Sequence, residues 1–299
     1  MTVNAQELIT AATFNGLQSR IETVLGQGFA DTGYGQTLSS SIVAANTVIT
    51  ATHLQNLKSD IDKCRAHQTG SVTSLALINP TDRIGASESI DKDGSTDTSK
   101  GINDYLTLVN SLEADRQLCD DTQASVESVL QSTRVSEWNG TITHVFTVTF
   151  TDAAARRHFF NAGGQIRFQA NLSNGSGGKD SDWASMLAGM GTISMASHAT
   201  TQTGSGVPTA IGNFELTGTS QRIFHKLGTA YDYQNNMYTV NARTLADNVI
   251  EFDIQFQDNA DGGGDPNVTG DILSSITHRR PSGTYVSVPS PTYNNTSEL

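Results

Sequence analysis

The hydrophobic pattern of this chain changes its period once, and this change is the strongest constraint on its fold. In the first part of the chain, apolar residues recur every three or four positions, which is typical of helices. From Ile142 onward they recur at every second position, as at Phe146 and Val148, with threonines between them. A period of two is typical of a strand that buries one face. The sequence therefore predicts an α+β chain with a helical region, 1–136, and a β-rich domain, 137–299.

The helical region contains an internal repeat. Residues 9–22 read ITAATFNGLQSRIE and residues 49–62 read ITATHLQNLKSDID, with six identities in fourteen positions. Thr10 and Thr50 occupy the position of a helix N-cap, where a side-chain oxygen accepts a hydrogen bond from a backbone N–H. Apolar residues then follow on one face in both copies. The repeat predicts two similar helices joined by a turn-rich connection, GFADTGYGQTLSSS.

A third segment continues the helical pattern and predicts a longer helix. Heptad counting from Ile102 to Thr133 places apolar side chains on one seam, which Arg116 and Gln123 interrupt. An uninterrupted helix over this segment would be roughly 45 Å long. It would need partners along its length, either the two shorter helices in a three-helix bundle or copies of itself in other subunits. The predicted oligomerisation or attachment residues are Ile102, Tyr105, Val109, Leu112, Val126 and Leu130.

The β-rich domain combines strands with two short helical segments. Residues 250–256 alternate between apolar and polar side chains and form the clearest pattern of a half-buried strand. Residues 153–160 (AAARRHFF) and 182–190 (DWASMLAGM) have the pattern of short helices. Gly163 and Gly164 follow the first of them, where glycine can end a helix and let the chain turn sharply. The sequence therefore predicts an antiparallel sheet or sandwich with two short helices.

Composition and charge exclude one class of partner. Charged residues form 16% of the chain, and its formal net charge is −12. Because no basic cluster could release counterions from a phosphate backbone, we expect no nucleic-acid partner. No apolar run approaches the roughly 20 residues of a membrane helix, and the N-terminus lacks the pattern of a secretory signal. We therefore expect a soluble chain, made in a cytoplasm, without membrane insertion.

Residues that could carry chemistry do not form a known catalytic motif. The sequence has no nucleophile elbow, zinc-protease motif, phosphate loop or dinucleotide fingerprint, so we expect no enzyme and no cofactor. His144 lies on an alternating strand and is predicted to be a core or interface histidine. The acidic segment QDNADGGGDPNVTGD offers Asp258, Asp261 and Asp265 as candidate calcium ligands. The favoured alternative is a solvated loop, in which Asp, Gly and Asn serve as turn residues.

Several stretches resemble a family of virion structural proteins from tailed bacteriophages, notably phages of marine bacteria. The resemblance covers nearly the whole chain, and it implies a tail, neck or fibre component without catalytic or binding residues to carry over. The stretches that carry it are FNGLQSRIETVLGQG, GYGQTLSSS, CRAHQTG, HFFNAGGQIRFQANLSNGSGGKDSDWASMLAGMGTI, IEFDIQFQD and VTGDILSSITHRRPSG.

The sequence and this resemblance together predict a virion structural component at the neck or tail, assembled in the host cytoplasm. Its N-terminal helices would attach to other virion proteins or form a homo-oligomer, with a trimer favoured because fibre-like parts use a helical seam around a threefold axis. Its β-rich domain would project. The alternative is a receptor- or glycan-binding adhesin of the phage tail that contacts the host surface. A third hypothesis is a calcium-dependent hydrolase built on the acidic segment.

Overall fold

The structure is a computed structural model that describes residues 9–76, 78, 83–84, 89–90, 96–97, 101–260 and 264–296. Their contacts divide the chain into two compact units. The helical unit contains the chain up to Ser125 together with Arg157–Gly163 and Pro281–Val288. The sheet unit contains Val126–Arg156, Gly164–Arg280 and the chain from Pro289. Five α-helices and antiparallel sheets are present in the described residues, and this confirms the α+β class.

Three α-helices and three very short strands belong to the helical unit. The side chain of Thr10 accepts a hydrogen bond from Thr13 N at the start of the first helix, and Thr50 caps the second in the same way. Gly70, with φ of 75°, ends the second helix in the left-handed conformation that glycine adopts without strain. The elements are α1 (Ala11–Leu25), α2 (Ala51–Thr69), α3 (Ile102–Ala114), β1 (Arg83–Ile84), β2 (Ser89–Ile90) and β3 (Thr96–Asp97).

The core of the helical unit lies between α1, α2 and α3, which contact one another in pairs. Each helix turns its apolar stripe inward, as the spacing of three and four requires. The side chains that fill this core are fully or almost fully buried: Phe14, Leu17, Ile21, Leu54, Leu57, Ile61, Ile102, Tyr105, Val109 and Leu112.

The predicted long third helix is wrong, because α3 ends at Ala114. The chain then turns through Asp120, whose carboxylate accepts a hydrogen bond from Thr122 N, and continues as the strand β4 (Ala124–Arg134). Heptad counting missed this change because Val126 and Leu130 also fit an apolar seam. The segment 124–134 is rich in serine and β-branched residues, which are poor helix formers. In a strand, β-branched side chains lose little conformational freedom.

The sheet unit is built from two antiparallel sheets. One has the strand order β14-β5-β12-β11-β10-β9, and the other has the order β4-β13-β6-β7-β8. The strands that follow β4 are β5 (Gly140–Thr149), β6 (Gln165–Ser173), β7 (Ile193–Met195), β8 (Thr200–Gln202), β9 (Val207–Pro208), β10 (Gln221–Leu227), β11 (Met237–Ala246), β12 (Val249–Asp258), β13 (Asp271–Pro281) and β14 (Thr292–Thr296).

The two sheets pack face to face as a sandwich. The ring centroids of Phe168 on β6 and Phe252 on β12 are 4.8 Å apart. His144 on β5 places its Nδ1 atom 2.8 Å from the Ser274 hydroxyl on β13. Because each strand alternates, the apolar residues of both inner faces meet in one core. His144 is fully buried with a hydrogen bond, which confirms its predicted place in the core.

Two further helices, α4 (Ala153–Asn161) and α5 (Gly178–Met190), interrupt the strands as predicted. The apolar face of α5 is buried and contains Trp183, Met186 and Met190. The first four residues of α4 belong to the sheet unit, whereas its last five residues belong to the helical unit. Gly163 follows α4 with φ of 83°, so the glycine pair ends the helix as predicted.

Candidate interaction site

The predicted seam does not form one continuous surface. Ile102, Tyr105, Val109 and Leu112 lie in the core between the three helices, where their side chains are buried within this chain. Val126 lies on β4 and is 61% exposed, and Leu130 on the same strand is half-buried. These four side chains therefore stabilise their own unit. This result agrees with the three-helix bundle, which was one of the two alternatives for this part of the seam.

The acidic segment places two of its predicted calcium ligands against groups of the chain itself. Lys179 Nζ lies 2.8 Å from Asp258 Oδ2, and both side chains are about 1% exposed. Asp265 Oδ2 accepts hydrogen bonds from Gly178 N and Lys179 N at the start of α5, which lower the pKa of this carboxyl. Asp261 lies outside the described residues. Among the residues that the structure describes, no group of three or more His, Cys, Asp or Glu side chains could hold a metal ion.

One histidine of the sheet unit lies close to both a carboxylate and a hydroxyl. His278 Nε2 is 3.2 Å from Glu127 Oε2 and 3.3 Å from Ser290 Oγ, while its Nδ1 is 2.9 Å from the Tyr293 hydroxyl. Burial lowers the pKa of His278. In a catalytic triad, the carboxylate and the nucleophile contact opposite ring nitrogens. Here both contact the same nitrogen, so this geometry does not activate Ser290.

Among the described residues of the helical unit, the most exposed large apolar side chain lies on a tight loop between α1 and α2. The segment Gly26–Gly35, here called the Phe29 loop, turns through Gly28 and Gly33, whose φ angles of 55° and 91° suit glycine. Phe29 stands at its tip with 84% of its surface exposed. Thr32 closes the turn, because its hydroxyl donates to Phe29 O and accepts from Phe29 N.

The end of α4 binds the backbone of this loop through one asparagine. Asn161 Nδ2 lies within hydrogen-bond distance of three carbonyl oxygens, at 3.2 Å from Ala30, 2.7 Å from Thr32 and 3.3 Å from Gly33. Asn161 is itself almost completely buried. A buried amide that serves several loop carbonyls replaces the water that an exposed loop would bind, so it reduces the loop's freedom.

Two neighbouring side chains of α4 complete this support. Arg157 Nη1 donates to Gln27 O at 2.7 Å and to Thr32 O at 2.9 Å. His158 Nε2 lies 3.1 Å from Gln27 O. A side chain at Gly35 would collide with the His158 ring, so the chain must pass this point as glycine. Three residues of α4, namely Arg157, His158 and Asn161, therefore hold the Phe29 loop.

An ion pair fixes the loop from a second direction. Arg116 Nη2 lies 2.6 Å from Asp31 Oδ2, and both side chains are about one-third exposed. Arg116 was predicted to interrupt a helical seam, but it lies after the end of α3 and binds this loop instead. A large apolar side chain on a preorganised loop is typical of an interface anchor, because little conformational entropy is lost when it binds.

The sheet unit carries a second loop of this kind. Tyr231 is 86% exposed and begins a short turn between β10 and β11. The Asp182 carboxylate of α5 accepts hydrogen bonds from Thr229 N at 3.3 Å and Ala230 N at 2.9 Å. These bonds hold the chain on the N-terminal side of Tyr231. In the described part of the chain, each unit thus presents an aromatic side chain that is more than 80% exposed, on a loop whose backbone is bound by a helix.

The sequence analysis described the first loop as part of a turn-rich connection, and it did not single out Phe29 or Tyr231. The signal that could have found the first is an aromatic residue between closely spaced glycines in GQGFADTGYG. Comparisons with protein-family models, curated proteins and solved structures find no match to this chain. Of the helices that the structure describes, none combines the length and apolar character needed to cross a membrane.

Proposed function

We propose that this chain is a structural component of a tailed-bacteriophage virion, located at the neck or tail. The helical unit attaches to a neighbouring virion protein through the Phe29 loop, and the β-rich part projects. The observation that carries this proposal is the combination of an 84% exposed phenylalanine with a backbone held by Asn161, Arg157 and His158. The sequence resemblance to phage virion proteins supports the particle as its location.

The attachment role follows from the energetics of binding. Contact between an exposed phenylalanine and water is unfavourable. A partner that covers this side chain gains about 25 cal/mol of binding free energy per Å² of apolar surface removed from water. If the loop were mobile, the conformational entropy lost on binding would offset part of this free energy. Because the helix already binds the loop carbonyls, most of the gain becomes available for association.

Self-association is part of the proposal, and a trimer remains a hypothesis. The prediction of three copies depended on one continuous helix, but α3 ends at Ala114 and its apolar face is used inside the unit. The end of α3 therefore removes the argument for three copies.

The alternative function is a glycan-binding adhesin, and Tyr231 is the observation that favours it. An exposed aromatic ring on a held loop offers a flat face, and Asp232 and Asn235 beside it offer polar groups. Aromatic faces and neighbouring hydrogen-bonding groups are what a sugar ring requires. Binding of the chain to a glycan array that is lost in Tyr231→Ala would support this alternative.

The virion proposal is tested in a phage that encodes this chain. Mass spectrometry of purified particles and electron microscopy with an antibody against residues 140–299 should place the wild-type chain at the neck or tail. The variant Phe29→Ser should fold normally by circular dichroism but be depleted from particles. Val48→Ser is the matched control, because Val48 is 79% exposed in the same unit and lies outside the Phe29 loop.

Two results would contradict this proposal separately. Absence of the wild-type chain from particles would refute the virion location. Equal incorporation of Phe29→Ser and wild type would refute the role of the Phe29 loop but leave the location standing.

A further inference from the structure

The dipeptide Asn-Gly occurs at three places in the chain, at positions 15–16, 139–140 and 174–175. Asparagine is a thermally labile residue. Its side-chain amide can be attacked by the backbone nitrogen of the next residue, and glycine hinders this attack least because it has no side chain. Since the three dipeptides are identical, the folded structure around each of them decides how readily it can react.

The first dipeptide is restrained by a helix. Asn15 and Gly16 lie within α1, where each N–H after the first turn donates to the carbonyl four residues earlier. The Asn15 amide also holds a loop, because its Nδ2 donates to Val43 O at 2.8 Å and its Oδ1 accepts from Val43 N at 2.9 Å. Attack by Gly16 N would therefore require the helical hydrogen bond and both bonds to Val43 to break.

The second dipeptide is restrained by a strand. Gly140 begins β5 and lies opposite Asp258 in the ladder between β5 and β12. The side chain of Asn139 donates from Nδ2 to Pro266 O at 2.7 Å and to Asn267 Oδ1 at 3.3 Å. Attack by Gly140 N would therefore disturb the end of the ladder and break both of these bonds.

The third dipeptide lies in an exposed turn. Residues 174–177 connect β6 with α5, and all four are exposed. In the described part of the chain, no group accepts a hydrogen bond from Gly175 N. Asn174 has φ of 58°, a conformation that is unfavourable for a residue with a side chain, and its amide makes one hydrogen bond among the described residues, from Nδ2 to Asp271 Oδ2 at 2.7 Å. The attacking nitrogen is therefore accessible, and fewer bonds oppose its approach to the amide.

We propose that Asn174 is a site of spontaneous deamidation and the most reactive of the three Asn-Gly dipeptides in the folded chain. Gly175 N loses its proton to solvent and forms a bond to Asn174 Cγ, and the bond between Cγ and Nδ2 breaks with release of ammonia. Water then opens the resulting succinimide ring. Cleavage of the new N–Cγ bond gives aspartate at position 174, whereas cleavage of the original peptide bond gives isoaspartate. Overall, one amide and one water become one carboxylic acid and one ammonia, so no other reactant is required.

The product changes the hydrogen bonding of the turn. The Asn174 amide donates to the Asp271 carboxylate, whereas an ionised carboxylate at position 174 has no proton to donate and is repelled by Asp271. Asp271 begins β13 and lies opposite Ser173, the last residue of β6. Deamidation therefore weakens the contact between these two strands at the turn.

The test follows all three dipeptides in one sample of the full chain. The chain is incubated in mildly alkaline buffer made with heavy-oxygen water, and peptide mass spectrometry measures the deamidated fraction at each asparagine over time. The heavy oxygen labels each carboxylate formed during the incubation, which separates it from deamidation during later handling. A parallel incubation in urea measures the reactivity of the same dipeptides without the fold.

We expect Asn174 of the folded chain to deamidate at least about tenfold faster than Asn15 or Asn139, because the additional hydrogen bonds that must break there raise the activation free energy. In urea, the three rates should become similar. The proposal would be overturned if Asn174 were not the fastest of the three in the folded chain. It would also be overturned if urea left the ratios of the rates unchanged, because the fold would then have no influence on them.

The consequence for the turn is tested with the variant Asn174→Asp, which reproduces the charge of the product. Its thermal midpoint should lie below that of the wild type. The matched double variant Asn174→Asp/Asp271→Asn exchanges the amide and the carboxylate, so it restores one donor and one acceptor and should recover the midpoint. A midpoint of Asn174→Asp equal to that of the wild type would refute the weakening of the turn. None of these measurements depends on the virion location.

Discussion

Replacing Lys179 by methionine tests how the acidic segment is organised. Lys179 Nζ lies 2.8 Å from Asp258 Oδ2 and also donates to Ala260 O and Pro266 O, at 3.3 Å and 3.1 Å. Methionine keeps most of the volume of the side chain but removes the positive charge. The carboxylate of Asp258 then remains buried without a countercharge. Ala260 O loses its hydrogen bond from Lys179, whereas Pro266 O keeps its hydrogen bond from Asn139 Nδ2.

The expected loss can be estimated from the burial of the pair. Both side chains are about 1% exposed, so water cannot replace the missing charge. Breaking a buried ion pair by removing one partner costs about 3–5 kcal/mol of the free energy of unfolding. Adding Asp258→Asn removes the stranded charge as well, so the double variant Lys179→Met/Asp258→Asn should recover to within about 1–2 kcal/mol of the wild type.

Urea denaturation followed by tryptophan fluorescence measures this loss in the correct part of the molecule. The chain has two tryptophans, Trp138 and Trp183, and both belong to the sheet unit with Lys179. The matched control is Arg243→Met, which breaks the Arg243–Glu251 pair of the same unit. Arg243 is 41% exposed, and an ion pair with an exposed partner contributes about 0.2–1 kcal/mol.

The reasoning would be refuted if Lys179→Met and Arg243→Met lowered the free energy of unfolding equally. It would also fail if the double variant were less stable than Lys179→Met alone, since removing the stranded carboxylate must help. Either result would contradict the role of Lys179 as the countercharge of a buried Asp258 carboxylate.

Two other perturbations have outcomes set by single buried residues. Burial lowers the pKa of His144 from 6.5 to about 4. The contribution of the neutral ring to the free energy of unfolding is therefore complete above pH 6.5 and is lost as the pH falls toward 4. This difference corresponds to about 3 kcal/mol, and urea titrations should show a flatter acid-side decline in His144→Gln. The buried Asp60 carboxylate accepts from Ser39 N and from the backbone and hydroxyl of Ser40, so Asp60→Ala should cost about 3 kcal/mol by thermal unfolding. An unchanged acid profile or melting temperature would contradict the respective prediction.

The strands of the sandwich were predictable because each of them must bury its apolar face in the core. On β5 and β12 every second side chain enters the core, and the two strands pair over their full lengths, from Val249 opposite Thr149 to Asp258 opposite Gly140. A shift by one residue would expose the entire apolar set. This energetic requirement produces the alternation of apolar and polar residues from which the strands were predicted.

The segment after Ala114 was not predictable by the same method. Apolar residues in 124–134 fit both a heptad seam and an edge strand, because β4 is half-exposed and has an irregular alternation. What decides between the two is the partner strand β13, which lies far along the chain. Spacing alone contains no information about a partner at that distance, so the local pattern gave the wrong element.

The stretch FFNAGGQIRF shows why the candidate site also stayed hidden. Its glycines end α4, as the order of helix and glycine predicts, and this purely local role was recognisable. Its asparagine and the preceding Arg157-His158 have a second role that depends on carbonyl groups more than 120 positions earlier. Carbonyls occur at every residue, so a side chain that binds them leaves no complementary residue type to search for. A loop that is supported in this way is therefore visible in the contacts of the folded chain and not in its residue pattern. Replacing Asn161 should increase the mobility of the Phe29 loop without changing any apolar residue.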